Sequence, residues 1–449
     1  MRLFIRIVKI VFATLLVALV GLGVWLYVAP PQLLRVGSGY AAKIVCSNVF
    51  LAGRNDREVL EVDVQAPGHP LLRLMQVSVD RAEKRVHAAL LGFLAGNEAV
   101  YREGLGCSVT PDGSATAVPR LALGAARPVD QTILWPDGGK VESDPKIAAV
   151  LSDPAVTGPG MRAVVVVRGG RIVGETYAPG FSRDTPLLGW SMTKTVNAAI
   201  IGTLVRDGRL SLEDKGLFPQ WKNDQRADIR VADLLAMESG LAFNESYGTV
   251  ADVTRMLFLE PDMANFAADQ PLEADPGSRF NYASGTAVML AKLWMDRIGD
   301  RAVALAYPKK ALFGPLGMRS AIMETDASGT FVGSSYLYAT ARDWARFGLL
   351  LVRDGMWNGS RILPEGFVAQ MHQPNRTSNG RYSKMQTWLP GGAAGIPADT
   401  FILDGHDGQN VIVIPSLDLV VVRLGLTPDW LSYRPTALVT AIAKTTAAP

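Results

Sequence analysis

The sequence predicts an α+β protein carried on one N-terminal apolar helix. Three observations point there. Residues 10–28 carry no charge. Strand-like runs lie near both ends of the remaining body, at residues 163–167 and 171–177 and again at 411–414 and 419–424. Between them, residues 196–205 (VNAAIIGTLV) are apolar on nearly every face, as in a buried helix, and Gly208 ends that helix.

Taken in chain order, the N-terminus comes first. At about 1.5 Å per residue, residues 10–28 just span a hydrocarbon core of about 30 Å. Arg2, Arg6 and Lys9 precede the run, and Asp56 is the first acidic residue. The positive-inside rule then holds residues 1–9 in the cytoplasm and exports the rest. A cleaved signal peptide is the alternative, but the run is long for one, and Pro30-Pro31 stands where cleavage is expected. Cys46 and Cys107 are the only cysteines, and in an oxidising compartment they are a candidate disulfide; two independent buried thiols are the other reading.

Residues 29–140 mix strand-like runs, at 59–64 and 75–79, with glycine-containing turns, and their role is not legible. Residues 127–144, with Pro128, Pro136 and Gly138-Gly139, are the expected boundary to a body spanning 141–449. That body opens with a hairpin: residues 163–167, a turn at Gly169-Gly170, and a return over 171–177.

Ser191-Met192-Thr193-Lys194 follows at the start of the apolar helix. Residues three apart share a helix face, so the Lys194 amine can reach the Ser191 hydroxyl. A serine hydroxyl is a weak nucleophile until a base takes its proton, and a lysine whose charge is suppressed by burial can be that base. The helix N-terminus supplies backbone N–H groups where an oxyanion would form. Spacing alone is weak evidence, because Ser143-Asp144-Pro145-Lys146 has the same pattern in a polar stretch that reads as a loop leading into a helix.

Two later segments add weight. Phe280-Asn281-Tyr282-Ala283-Ser284 follows the turn signal Asp275-Pro276-Gly277, and Asp404-Gly405-His406-Asp407-Gly408-Gln409 precedes the run at 411–414. This ordered set resembles the serine β-lactamase and penicillin-binding-protein superfamily, whose pattern is Ser-x-x-Lys, then Tyr-x-Asn or Ser-x-Asn, then Lys-Thr-Gly. The likeness is to its class C-like branch, with esterases and 6-aminohexanoate-dimer hydrolases. Residues 208–215, 234–241 and 276–280 also resemble that branch, and the resemblance covers about residues 145–449.

The resemblance implies an antiparallel sheet formed by the early hairpin and the late strands, with a terminal helix over about residues 435–446. It also implies a mostly helical subdomain between Ser191 and about residue 385 that supplies Tyr282. By the same resemblance Ser191 is the acylated nucleophile and Lys194 shares its proton network. Tyr282 is general base in acylation and acid toward the leaving group. The backbone N–H groups of Ser191 and Gln409 form the oxyanion hole, and Ser284, His406 and Gly408 lie along the substrate. Plain alternatives exist: Tyr282 as a half-buried aromatic, Gly408 as a turn glycine, His406 as a strand cap.

Two departures bear on substrate. Ser284 stands where class C β-lactamases have asparagine, and His406-Asp407-Gly408 stands where they have Lys-Thr-Gly. A histidine is only partly charged at neutral pH, which weakens the case for β-lactams or D-alanyl peptides and favours neutral esters and amides. Segments Gly189-Trp190, Ser334-Ser335-Tyr336 and Gln386-Thr387-Trp388 are candidates for shaping the pocket, with Trp190 reading as a packing residue.

Other chemistries are not supported. There is no G-x-S-x-G elbow, phosphate-binding glycine loop, dinucleotide fingerprint or H-E-x-x-H, and the four histidines are far apart. No metal or cofactor is implied. A net charge of +3 without a basic face argues against nucleic acid. The expectation is a serine hydrolase with a small ester or amide substrate, anchored single-pass in a bacterial inner membrane with its catalytic body in the periplasm. A non-catalytic cell-envelope binding protein on the same fold, or a D-amino-acid peptidase or β-lactamase, is the alternative; the oligomeric state is not legible.

Overall fold

A computed structural model describes residues 1–119, 121, 128–390 and 395–446. Arg127, at the start of the expected boundary, lies outside the described residues. The chain forms two compact units. Unit 1 comprises Met1–Tyr101, Cys107–Ala115 and Ser246–Pro261; unit 2 comprises Arg102–Gly106, Thr116–Glu245 and Asp262–Pro449.

Unit 1 begins with α1 (Arg2–Val28), none of whose residues is buried and which is long and apolar enough to cross a membrane. Pro30 and Pro31 end it, since proline cannot donate to a helix ladder. Helix α2 (Gln32–Ala52) follows and closes on Gly53 in the left-handed conformation. It packs on an antiparallel four-stranded sheet of β1 (Met75–Asp80), β2 (Arg85–Leu90), β3 (Leu94–Arg102) and β4 (Gly106–Val109), ordered as in the chain. A disulfide joins Cys46 on α2 to Cys107 on β4, with Cα atoms 6.1 Å apart. The short helix Asp252–Leu259 belongs to this unit and buries Val253, Met256, Leu257 and Phe258. The ring of Phe258 meets that of Tyr40 on α2 edge-on at 5.7 Å.

One expectation is overturned here. The run at 59–64 is helical, not extended: helix Asp56–Val59 continues as a wider turn over Leu60–Gln65. The Asn55 side chain starts it by accepting from the N–H groups of Arg57 and Glu58. Capping outweighed the β propensity of the valines.

Unit 2 contains the expected sheet. Strands β5 (Met161–Arg168), β6 (Arg171–Tyr177), β7 (Phe401–Gly405), β8 (Gln409–Ile414) and β9 (Leu419–Gly425) pair antiparallel in the order β7-β8-β9-β5-β6. Thus the first hairpin joins the last strands, with Val421 opposite Val166 and Ile412. Within them the runs 163–167, 411–414 and 419–422 are unbroken and apolar because both faces are covered. Val164, Val166, Ile412, Ile414 and Val421 face Leu438, Val439 and Ile442 of the terminal helix α6 (Thr436–Thr446), with Ile147 and Leu151 of helix Pro145–Leu151. On the other face, α5 (Ala341–Val352) presents Gly348, where a Cβ would stand only 2.4 Å from Val420.

The helical part holds α3 (Met192–Arg206), buried from Met192 to Leu204, and α4 (Ser284–Ile298). Asn197 ties them, donating to the Ala287 carbonyl at 2.8 Å and accepting from the Trp294 indole at 2.9 Å. Asp144 caps helix Pro145–Leu151 through the Lys146 N–H, so the second Ser-x-x-Lys is a helix start.

Candidate active site

Ser191 sits immediately before α3 as its N-cap, and the residue before it, Trp190, has φ +47. A bulky residue held left-handed is strained, and such strain is found where surroundings over-determine a functional turn. Trp190 is packed between Tyr336 at 6.3 Å and the His406 ring, edge-on at 5.7 Å.

One turn into α3, the fully buried Lys194 Nζ donates to Ser191 Oγ at 3.0 Å, to Ser284 Oγ at 3.0 Å and to the Ser334 carbonyl at 3.1 Å. Burial lowers its pKa to about 8, against the opposing charge of Glu245. Ser284 is buried behind the lysine rather than facing outward. Its hydroxyl donates to Glu245 Oε1 at 2.5 Å, and its backbone N–H donates to Oε2 at 2.8 Å. The Glu245 carboxylate thereby sits at the N-terminus of α4, where the helix dipole favours negative charge. A continuous line runs from Ser191 through Lys194 and Ser284 to Glu245. Sequence reasoning missed Glu245: no spacing or local pattern connects position 245 to position 284.

Tyr282 is two residues before α4. Lys194 Nζ lies over its ring face, 4.8 Å from the centroid. Burial and the Glu245 charge hold its phenol well above the usual tyrosine range, although a hydrogen bond with Ser191 opposes this. The phenol is therefore kept protonated, and the cation that would favour a phenolate lies over the ring face. Tyr282 belongs to an aromatic wall: Trp388 lies 5.2 Å from it and Tyr382 5.8 Å, edge-on. Trp388 is held by backbone hydrogen bonds with Ile402 of β7 at 2.9 and 2.8 Å.

The end of β7 brings the remaining residues to Ser191. A Cβ on Gly405 would stand 2.3 Å from the Gly189 carbonyl and 2.9 Å from the Gln409 side chain. The segment preceding Ser191 and the start of β8 at Gln409 are thus adjacent backbones. The Gln409 side chain is turned inward, donating to the Gly425 carbonyl at 2.6 Å and accepting from its N–H at 3.0 Å. Asp407 (φ +58) and Gly408 (φ +78) make the tight turn. A Cβ on Gly408 would meet Arg423 at 2.7 Å. Arg423, buried on β9, donates to the carbonyls of Gly408 and Pro159, each at 2.8 Å, and sits 4.2 Å over the Tyr433 ring. Glycine at 408 answers to backbone conformation and to this guanidinium. His406 is half exposed, with Nε2 3.5 Å from Asp407 Oδ1.

Among the described residues there is no cluster of three or more His, Cys, Asp or Glu side chains placed to hold a metal ion. What the arrangement offers is nucleophilic chemistry: a hydroxyl, a buried amine of low basicity, a protonated phenol and two adjoining backbone segments.

Comparison with known proteins places the chain in a family and a fold. The family model described as Beta-lactamase matches residues 154–437. The chain is 27% identical over 297 residues to a 6-aminohexanoate-dimer hydrolase of Paenarthrobacter ureafaciens, covering 60% of this chain and 73% of that protein. Two solved structures share the fold. One, a Bacillus anthracis protein named for 6-aminohexanoate-dimer hydrolase, has a TM-score of 0.56 at 19% identity and covers 88% of this chain and 96% of its own. The other, EstCE1, a hydrolase with promiscuous acyltransferase activity, has a TM-score of 0.54 at 17% identity and covers 68% and 98%.

Proposed function

Since the chain belongs to the Beta-lactamase family, a family of hydrolases, we propose that it is a serine hydrolase cleaving ester or small amide bonds through an acyl-enzyme on Ser191. The observation that carries this reading is the Lys194 amine, 3.0 Å from Ser191 Oγ with its pKa drawn down to about 8 by burial. At neutral pH a useful fraction of such an amine is uncharged and accepts a proton.

In acylation, neutral Lys194 takes the Ser191 proton as Oγ attacks the carbonyl carbon. The backbone N–H groups of Ser191 and Gln409 receive the oxyanion. The ammonium that forms is balanced by Glu245 through Ser284. Tyr282, kept protonated, acts as acid toward the leaving oxygen or nitrogen and recovers a proton through the Ser191–Lys194 contact. Water then attacks the acyl-enzyme: neutral Lys194 takes a proton from the water as its oxygen bonds to the carbonyl carbon, and the ammonium returns that proton to Ser191 Oγ as the acyl–serine bond breaks. The lysine thus takes the base role that the resemblance gave to Tyr282.

The substrate reading rests on two features. His406 stands where a lysine would present a permanent cation, which favours neutral esters and amides over β-lactams. Tyr282 and Trp388, backed by the buried Tyr382, offer an apolar wall for an acyl chain, and the relationship to a 6-aminohexanoate-dimer hydrolase makes linear amides of that kind the first amides to try. We also infer that α1 is a retained anchor placing unit 2 in the periplasm, a reading supported by its length, its lack of buried residues and the disulfide of unit 1.

The test is intact-protein mass of the full chain in detergent after a fluorophosphonate, beside Ser191→Ala. One adduct on the wild type and none on the variant is expected. Equal labelling of both, or of neither, sinks the acyl-enzyme reading. A panel of p-nitrophenyl esters, 6-aminohexanoate dimer and a chromogenic cephalosporin then ranks the substrates, with the cephalosporin expected last.

A further inference from the structure

Unit 1 presents two hairpin ends of opposite character. The β1–β2 turn is charged: Asp80, Arg81, Glu83, Lys84 and Arg85 are all exposed. The β2–β3 turn is apolar: Leu91 is 46% exposed and Phe93 64%, with Leu74 beside them at 47%. Leu74 joins this tip through its carbonyl, which accepts from the Leu91 N–H at 2.8 Å.

Hydrogen bonds to α2 show which end is which. Ser38 Oγ donates to the Ala95 carbonyl at 2.6 Å, and Asn97 Nδ2 to the Arg35 carbonyl at 3.4 Å. At the far end of α2, the Phe50 ring lies 5.4 Å from Tyr101, and Lys84 lies over that same Tyr101 ring at 5.3 Å. Strand β3 therefore runs alongside α2 in the same direction. The apolar tip lies at the start of α2, and the charged tip at its end. Ser38 is about 9 Å along α2 from its first residue. That first residue follows α1 by three residues, Ala29, Pro30 and Pro31. The exposed apolar tip thus stands where the chain leaves α1.

A second observation concerns Leu91 itself. Its backbone is left-handed, φ +54, a conformation that costs a bulky residue and is free for glycine, and Gly92 is its neighbour. A large apolar side chain is kept, at a cost, on an exposed turn. Arg73, exposed next to Leu74, adds a cation of the kind that pairs with lipid phosphates.

We propose that the β2–β3 tip, Leu91 and Phe93 with Leu74, is a second membrane contact that seats the α1-proximal end of unit 1 in the lipid interface. It rests on α1 being a retained anchor. Apolar side chains at this depth partition into the headgroup–acyl boundary, and a second contact fixes the rotation of a body that a single helix leaves free.

The test uses the full chain in phosphatidylcholine nanodiscs, with one added cysteine carrying an environment-sensitive NBD probe: Phe93→Cys, Leu91→Cys, Lys84→Cys or Leu19→Cys. Doxyl-labelled lipid is the quencher. Probes at 19, 91 and 93 are expected to be blue-shifted and quenched, and the probe at 84 neither. If position 19 is quenched while 91 and 93 match 84, the anchor stands and the proposal falls. A blue shift at 91 and 93 without lipid quenching assigns the tip to a protein partner and overturns it equally. If position 19 itself is not quenched, the anchor reading fails and takes the proposal with it.

Discussion

Replacing Glu245 with glutamine should move the pH profile of the reaction in a direction the structure specifies. The carboxylate reaches Lys194 through Ser284 by hydrogen bonds of 2.5 and 3.0 Å. The two charges therefore lie within about 6 Å, which at an effective dielectric of about 20 is worth about 3 kcal/mol, or two pH units, at most. Glu245 is partly solvated, and screening reduces this to about one unit. The amine acts in its neutral form, so kcat/KM on a neutral ester rises as pH passes the lysine pKa. In the wild type that limb should centre on about 8. About one-tenth of the sites are then competent at pH 7, and a rise of about tenfold to the plateau follows. The Glu245 charge raises the lysine pKa, so Glu245→Gln lowers it and shifts the limb to more acid pH by about one unit. The assay is kcat/KM for p-nitrophenyl butyrate across that range, with Gln retaining an acceptor for Ser284. A limb that stays in place, or moves to alkaline pH, would refute the reasoning. A wild-type limb well above 10 would transfer the base role to Tyr282.

Further outcomes follow from the same geometry. Gly408→Ala places a Cβ at φ +78 against Arg423, so we expect about 1 kcal/mol of lost stability by urea unfolding and a drop in kcat of about tenfold or more with KM little changed, as the Gln409 N–H is displaced. Trp388→Ala removes ring contacts to Tyr282 and Tyr382 worth about 1 kcal/mol each, and kcat/KM for long-chain esters should fall about tenfold while Trp388→Phe keeps most of it. Removing the Cys46–Cys107 bridge, which closes a separation of 61 residues, should destabilise unit 1 by up to about 4 kcal/mol, read as an earlier urea transition in the Cys46→Ala/Cys107→Ala variant.

Much of unit 2 was legible because local pattern and tertiary role coincide there. The runs 163–167, 411–414 and 419–422 are apolar because both sheet faces are covered, and the terminal helix starts one residue after the expected 435. Ser191 and Lys194 follow from one helix turn. Glu245 does not: its contact with Ser284 closes across 39 residues and has no periodic signature. Ser284 was expected along the substrate, yet burial behind Lys194 is set by the packing of α4 on α3, which spacing does not report. Arg423 reads as an oddity in a valine strand, and its carbonyl partners at Gly408 and Pro159 with the Tyr433 ring, all distant in sequence, explain a buried guanidinium. In unit 1, residues 59–64 were misread because a single asparagine at 55 starts a helix that the valines would not have chosen.

The two units are interleaved along the chain: the backbone passes between them after Tyr101, Gly106, Ala115, Glu245 and Pro261. No single cut separates them. A truncation made to discard residues 1–115 would strand the helix Asp252–Leu259, whose buried Val253, Met256, Leu257 and Phe258 would lose the α2 side of their packing and face water. The same excursion starts one residue after Glu245, so the carboxylate that holds Ser284 is anchored on a segment that leaves for the other unit. Unit 2 is therefore not a cassette. Recombination or expression boundaries drawn at the edge of the family match would yield a chain with an orphaned helix in its middle.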